Sequence, residues 1–144
     1  MKLNLILKTS TNFNAPISKV WDALTLPEQV KKYFFGTEMT SDFKVGSPIT
    51  FSGVWDGKPY EDKGTILEIE KGRKLKYDYW SNFSGEKDEP ANYANITYDL
   101  DEKNGQTVFT VTQDNCKSEE ALEHSKKNWE GLFAGMKELL EGKS

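Results

Sequence analysis

The sequence predicts an α+β fold, a curved antiparallel β-sheet wrapped around a long C-terminal α-helix, with two short helices after the first strand. Three observations carry this reading. Residues 3–13 alternate, with Leu3, Leu5, Leu7, Thr9, Thr11 and Phe13 on one side and Asn4, Lys8, Ser10 and Asn12 on the other, the period of a half-buried strand. Between residues 38 and 114 apolar runs of strand length are separated by turn signals, among them Asp56-Gly57 and Asn104-Gly105. Beyond Ser118 the period changes: Leu122, Trp129, Leu132, Phe133, Met136, Leu139 and Leu140 recur at steps of three and four, which makes an amphipathic helix.

The elements follow in order. Pro16 suits a first helical position, and Val20, Trp21 and Leu24 form one apolar face of a short helix. Pro27 stops that helix and opens a second, whose apolar face is Val30, Tyr33 and Phe34. Residues 38–43 read as an edge strand. The stretch "KVGSPITFSGVW" puts Ile49, Phe51, Gly53 and Trp55 on one side of the next strand. A further strand runs near Lys63–Glu70, and Lys71-Gly72 turns it. In residues 73–83, Leu75, Tyr77, Tyr79 and Phe83 oppose Lys74, Lys76, Asp78 and Trp80. A polar loop, "SGEKDEPAN", precedes a strand carrying Ala94, Ile96, Tyr98 and Leu100. The last strand, 107–114, presents Phe109 and Val111. Ser118 caps the long helix, Glu119 and Glu120 occupy its positive first turn, and Gly142 stops it. A single long helix buries the concave face of such a sheet only by lying across it, the helix-grip arrangement. A straight helix and a strongly bent sheet differ in shape, so space between them is expected.

Bulk properties narrow the function. The chain has 144 residues, enough for one domain spanning 1–144. Its net charge is -4 and no basic stripe stands out, which argues against a nucleic-acid partner. A single cysteine, Cys116, forms neither an intramolecular disulfide nor a cysteine zinc cluster. No apolar run is long enough to span a membrane, and the start lacks the pattern of a secretion signal, so the expected location is cytoplasmic. The motifs of P-loops, Rossmann turns, zinc proteases and nucleophile elbows are absent from the sequence, and no cofactor is expected. A Cys116–His124 pair is set aside because eight residues and a helix start separate them.

The phrases "APISKVWDALTLPEQVKKYFFG", "VGSPITF" and "NWEGLFAGMKELL" together resemble the START-like, birch-pollen-allergen-like (SRPBCC) superfamily, and within it the branch of the heat-shock-protein-90 ATPase activator homologues. The resemblance covers nearly the whole chain. It implies the helix-grip fold and leaves function wide, since members bind lipids, carry polyketides, hydrolyse or assist chaperones. The eukaryotic co-chaperones of that branch carry a separate chaperone-binding domain and a linker, for which 144 residues have no room.

The leading expectation is non-catalytic binding of a small hydrophobic or amphipathic ligand between sheet and helix. The residues expected to line that site are Tyr33 and Phe34 at its end, Phe51, Trp55, Tyr77, Tyr79 and Phe109 on the sheet, and Trp129, Phe133 and Met136 on the helix. The same residues suit an ordinary packed core. Buried phenols need acceptors, which a ligand or water in a pocket would supply. Tyr33 is expected to reach the rim and Phe34 the core. The loop 82–92 is a candidate lid. Gly131 and Gly135 are either surface glycines or points where another chain approaches closely. Two alternatives remain: a co-chaperone-like module with a chaperone partner and a filled core, and an enzyme acting on a small aromatic or lipid-like substrate, marked by a buried ionisable group. A monomer or a weak homodimer suits all three.

Overall fold

The computed structural model describes residues 5–33, 36–55, 57–81, 87–89, 92–116 and 118–141. Ten elements follow one another: β1 (Leu5–Phe13), α1 (Ile17–Thr25), α2 (Pro27–Tyr33), β2 (Glu38–Ser41), β3 (Pro48–Trp55), β4 (Lys58–Glu70), β5 (Lys74–Ser81), β6 (Ala94–Lys103), β7 (Gln106–Cys116) and α3 (Glu119–Glu141). The seven strands form one antiparallel sheet in the order β1-β7-β6-β5-β4-β3-β2. Every neighbouring pair except β1–β7 joins consecutive strands, so the first strand closes the sheet against the last.

Local chemistry sets the elements as the alternation predicts. In β1, Leu7 and Phe13 are buried while Ile6, Lys8, Ser10 and Asn12 face outward. Asn104 and Gly105 both take positive φ, 53° and 78°, as a tight two-residue hairpin between right-twisted strands requires. Ser118 caps α3 by accepting the Ala121 N–H at 3.0 Å. Pro16 differs from expectation by one place. With ψ at 157° it is the extended residue before α1 rather than its first helical residue. β4 begins at Lys58, earlier than its apolar pattern indicates, because its first half is polar at most positions.

The core lies between the concave face of the sheet and α3. Phe109 is fully buried at its centre, 6.2 Å from Phe13, 5.2 Å from Tyr98 and 5.6 Å from Phe133 between ring centroids. Met136 and Val111 are buried in the same cluster. The two short helices close one end through Val20, Trp21, Leu24 and Val30. Their link to the sheet includes the Thr107 hydroxyl, which donates to the Ala15 carbonyl at 2.8 Å. Helix α3 packs chiefly on β1, the edge of the sheet farthest from β3, and meets α2 as well. A Cβ on Gly135 would lie 3.1 Å from the Cβ of Tyr33, so the close approach at this glycine is made by α2 of the same chain rather than by another molecule. Gly131 faces open space.

Between β4 and β5 the ladder is interrupted. Lys63 pairs with Trp80 and Ile66 with Tyr77, while the Thr65 N–H is taken by the Asp78 carboxylate at 2.7 Å. Here Gly64 presses against the neighbouring strand. A Cβ at this position would stand 1.6 Å from the Asp78 carbonyl oxygen. Only glycine permits two strand backbones to come this close.

Candidate functional site

Because α3 lies toward β1, the region of β3–β5 is less covered, and a recess of about 140 Å³ opens there between sheet and helix. From the sheet come Phe51 on β3, Tyr77 and Tyr79 on β5, Ile96 on β6 and Gln113 on β7. From the first half of α3 come Ser125, Asn128, Trp129 and Leu132. Alternation along β5 turns Tyr77 and Tyr79 inward together, and the steps 125, 128, 129 and 132 share one helix face. The ring centroids of Phe51 lie 6.0 Å from Tyr77 and 6.1 Å from Tyr79, giving the recess an aromatic wall.

Its polar groups are oriented by the protein. The Tyr79 hydroxyl donates to Oδ2 of Asp62, a buried carboxylate on β4. The Trp129 indole N–H donates to Oε1 of Gln113 at 3.3 Å, which turns the amide nitrogen of Gln113 the other way. Tyr77 and Tyr98 share a hydrogen bond of 2.7 Å between their hydroxyls. Burial pushes the phenols of Tyr33, Tyr77, Tyr79 and Tyr98 well above the ordinary tyrosine range. At Tyr79 the neighbouring Asp62 charge and the hydrogen bond to it add to that effect. Toward the helical end lies a smaller void of about 10 Å³, room for a single water, between Tyr33, Tyr77, Tyr98 and the apolar side chains of Leu24, Met39 and Leu75.

The ten expected site residues separate into groups. Phe51, Tyr77, Tyr79 and Trp129 meet at the recess. Tyr33 lines the small void and donates its hydroxyl to the Ala23 carbonyl at 2.9 Å, so its partner is a helix end rather than water at a rim. Phe109, Phe133 and Met136 are packed in the core and are not brought to the recess. Phe34 and the side chain of Trp55 lie outside the described residues, as do Asp56, residues 82–86, 90 and 91 of the expected lid loop, and Gly142. Sequence reasoning missed Asp62, Gln113, Ser125 and Asn128. A signal for Asp62 was present, since Tyr60, Asp62, Gly64 and Ile66 are in phase while Glu61, Lys63 and Thr65 lie on the opposite face.

The buried ionisable group that would mark an enzyme is present as Asp62 beside Tyr79, whereas Cys116 and His124 are not brought together at the recess. Cys116 is buried, which pushes its thiol up, and His124 is exposed on α3. Among the described residues no cluster of His, Cys, Asp or Glu is placed to hold a metal ion. Among them, too, no helix is long and apolar enough to cross a membrane.

A seven-stranded antiparallel sheet gripping a C-terminal helix, with two short helices at one end and a recess between the layers, defines a START-like helix-grip protein. The chain belongs to the family described as Activator of Hsp90 ATPase homolog 1-like protein, whose model matches residues 14–141. Its structure is similar to the solution structure of protein ChR145 from Cytophaga hutchinsonii, with a TM-score of 0.86 and 43% identity over 99% of this chain and 98% of that one. It is also similar to the Aha1 dimer from Colwellia psychrerythraea, with a TM-score of 0.75 and 17% identity over 97% and 99% of the two chains. Ara h 8.0201 shares the fold with a TM-score of 0.76 and 14% identity over 98% and 100%. No curated protein matches the chain.

Proposed function

We propose that this protein is a single-domain, cytoplasmic binder of a small hydrophobic or amphipathic molecule, held without chemical change between the β3–β5 region of the sheet and α3. The observation that carries the reading is the recess of about 140 Å³ with Phe51, Tyr77, Tyr79 and Trp129 around it and a few fixed polar groups among them. Binding sites for small molecules have this make-up, apolar walls with a small number of placed donors and acceptors. Size narrows the ligand. Sites for drug-sized molecules run from about 300 to 1,000 Å³, whereas a cavity of ~150 Å³ admits benzene. The recess therefore suits a one-ring molecule better than a sterol or a long fatty acid.

The test is a thermal-shift screen with one-ring aromatics, flavonoids, sterols and fatty acids. A ligand at about 100 times its Kd stabilises the fold by ~2.7 kcal/mol, a shift of several degrees for a domain of this size. The reading expects shifts from the one-ring compounds, lost in Ser125→Trp, which fills the recess from α3. Shifts that survive the filling, or none from any class, count against it.

A second reading, a co-chaperone-like interaction module, is supported by the family and by a separate open groove. Beside α1, Trp21, Leu26, Phe43 and Ile69 line an apolar hollow of about 440 Å³. Phe43 holds a positive φ of 53° there, a costly conformation for a bulky residue. On this reading Leu26→Asp abolishes calorimetric binding to a purified Hsp90-type chaperone. Absence of binding by the unaltered protein counts against the module.

A further inference from the structure

We propose that the recess selects uncharged one-ring ligands bearing an O–H or N–H donor, phenols and anilines, through a Tyr79 hydroxyl that the Asp62 carboxylate holds as an acceptor. This deepens the ligand-binding reading and rests on it. Three features of the site argue for the selection.

The first is proton placement. A phenol hydroxyl has one proton, and that of Tyr79 is committed to Asp62 Oδ2. Toward the recess Tyr79 can then only accept, so the matching ligand group must donate. A ring with an ether or a methyl group in place of the hydroxyl lacks that donor.

The second is charge. Asp62 is 7% exposed and stands behind Tyr79, and among the described residues that line the recess there is no Lys, Arg or His. A carboxylate ligand would enter a partly dry site whose described lining offers no cation, with the Asp62 carboxylate one hydrogen bond away through Tyr79, which is unfavourable. Aromatic and fatty acids are thereby disfavoured, although their apolar parts would suit the walls.

The third is an amide on the same sheet, that of Gln113 on β7. Gln113 receives the Trp129 N–H on its oxygen, which leaves the NH₂ group as the edge available to a ligand acceptor. A phenolic hydroxyl both donates and accepts, and so can answer Tyr79 and Gln113 with one atom.

The experiment titrates the full-length protein with four probes of nearly equal size, namely phenol, anisole, toluene and benzoate, and follows the Trp129 indole N–H by NMR. The expected result is that phenol binds about tenfold more tightly than anisole, the loss that a missing hydrogen bond of ordinary strength gives, and that benzoate binds more weakly than toluene. In Tyr79→Phe the preference of phenol over anisole falls to within about twofold while toluene binding persists. In Asp62→Asn, which removes the charge at constant shape, benzoate gains at least severalfold on toluene. If either substitution impairs folding, the probe ranking in the unaltered protein still decides. Equal binding of all four overturns the selection and leaves the ligand-binding reading standing. Tighter binding of benzoate or anisole than of phenol also overturns it. No binding of any probe overturns both.

Discussion

Replacing Gly64 by alanine adds one methyl group to the protein, yet the geometry assigns it a large effect. The new Cβ would lie 1.6 Å from the Asp78 carbonyl oxygen and 2.6 Å from its carbon, both backbone atoms of β5 that cannot swing aside. Contact at van der Waals distance needs roughly twice the first separation, so β4 and β5 must part locally by more than an ångström. Overpacking of this kind costs about 1–3 kcal/mol. Parting the strands also strains the charged hydrogen bond from Thr65 N–H to Asp78, worth about 1.5–3 kcal/mol. Against these stands the entropic advantage of alanine over glycine, ~0.5–1 kcal/mol. The net expectation is a loss of about 2–5 kcal/mol, a large share of the ~5–15 kcal/mol that holds a typical domain together. Urea unfolding followed by far-UV circular dichroism measures it. The internal control is Gly131→Ala in α3, where a Cβ meets nothing within 4 Å and helix propensity favours alanine by about 1 kcal/mol. The same chemical change should thus destabilise at one site and stabilise at the other. A Gly64→Ala protein within 1 kcal/mol of the parent would refute the close-approach argument. There is a functional reading as well. Asp62 sits on β4 and Tyr79 on β5, so parting the strands pulls on their hydrogen bond and should weaken ligand discrimination before the fold is lost.

Three further outcomes are expected. Phe109→Ala removes the ring at the centre of the core and should cost about 3–5 kcal/mol, measured by the same urea titration, because Phe13, Tyr98 and Phe133 cannot all collapse into the space. Trp129→Ala removes a half-buried wall, its edge contact with Tyr98 at 5.8 Å and the tether on Gln113. It should lower stability by about 2–4 kcal/mol and weaken binding of one-ring ligands in calorimetric titration. Alkali should unfold the protein cooperatively. Four buried phenols, Tyr33, Tyr77, Tyr79 and Tyr98, hold their protons more tightly folded than unfolded. Their contribution is intact below the free tyrosine value of about 10 and is lost above it, as the unfolded chain releases protons that the folded one keeps. Each phenol removes up to ~1.4 kcal/mol per pH unit in that window. Phenolate absorbance and circular dichroism should change together within about one to two units above pH 10. Phenols titrating near 10 in an intact fold would contradict their burial.

The strands and helices were legible because their burial follows a period. Leu7 and Phe13 in β1, and Leu132, Phe133 and Met136 in α3, are buried where alternation and helical spacing place them. The site was legible only in part. Aromatic residues on inward faces mark both cores and cavities, and the choice between them depends on where α3 crosses the sheet. That crossing leaves Phe51, Tyr77 and Tyr79 beside a recess and places Phe109, Phe133 and Met136 in solid packing. No local pattern encodes it. Asp62 was hidden for a different reason. A carboxylate inside a strand reads as solvated until a partner is found across the sheet, and its partner Tyr79 is 17 residues away. The expectation that a ligand or water would supply acceptors for buried phenols is met by the protein itself for most of them. Tyr33 donates to a helix carbonyl and Tyr79 to Asp62, and of Tyr77 and Tyr98 one donates to the other, whose own proton faces the neighbourhood of the small void.

The pairing of β1 with β7 has a consequence for synthesis. Leu5 stands opposite Cys116 and Phe13 opposite Thr107, so the first strand made has no partner until about a hundred residues have followed it. During that interval the growing chain carries an unpaired strand with Leu7 and Phe13 uncovered. The hairpins from β2 to β7 join neighbours in sequence and can form as they emerge. Closing β1 onto β7 and laying α3 over both must come last. Long-range closure of this kind slows folding and leaves the waiting strand exposed to intermolecular pairing. Substitutions that weaken the β1–β7 seam should therefore reduce the yield of folded protein in the cell more than their cost in equilibrium stability predicts.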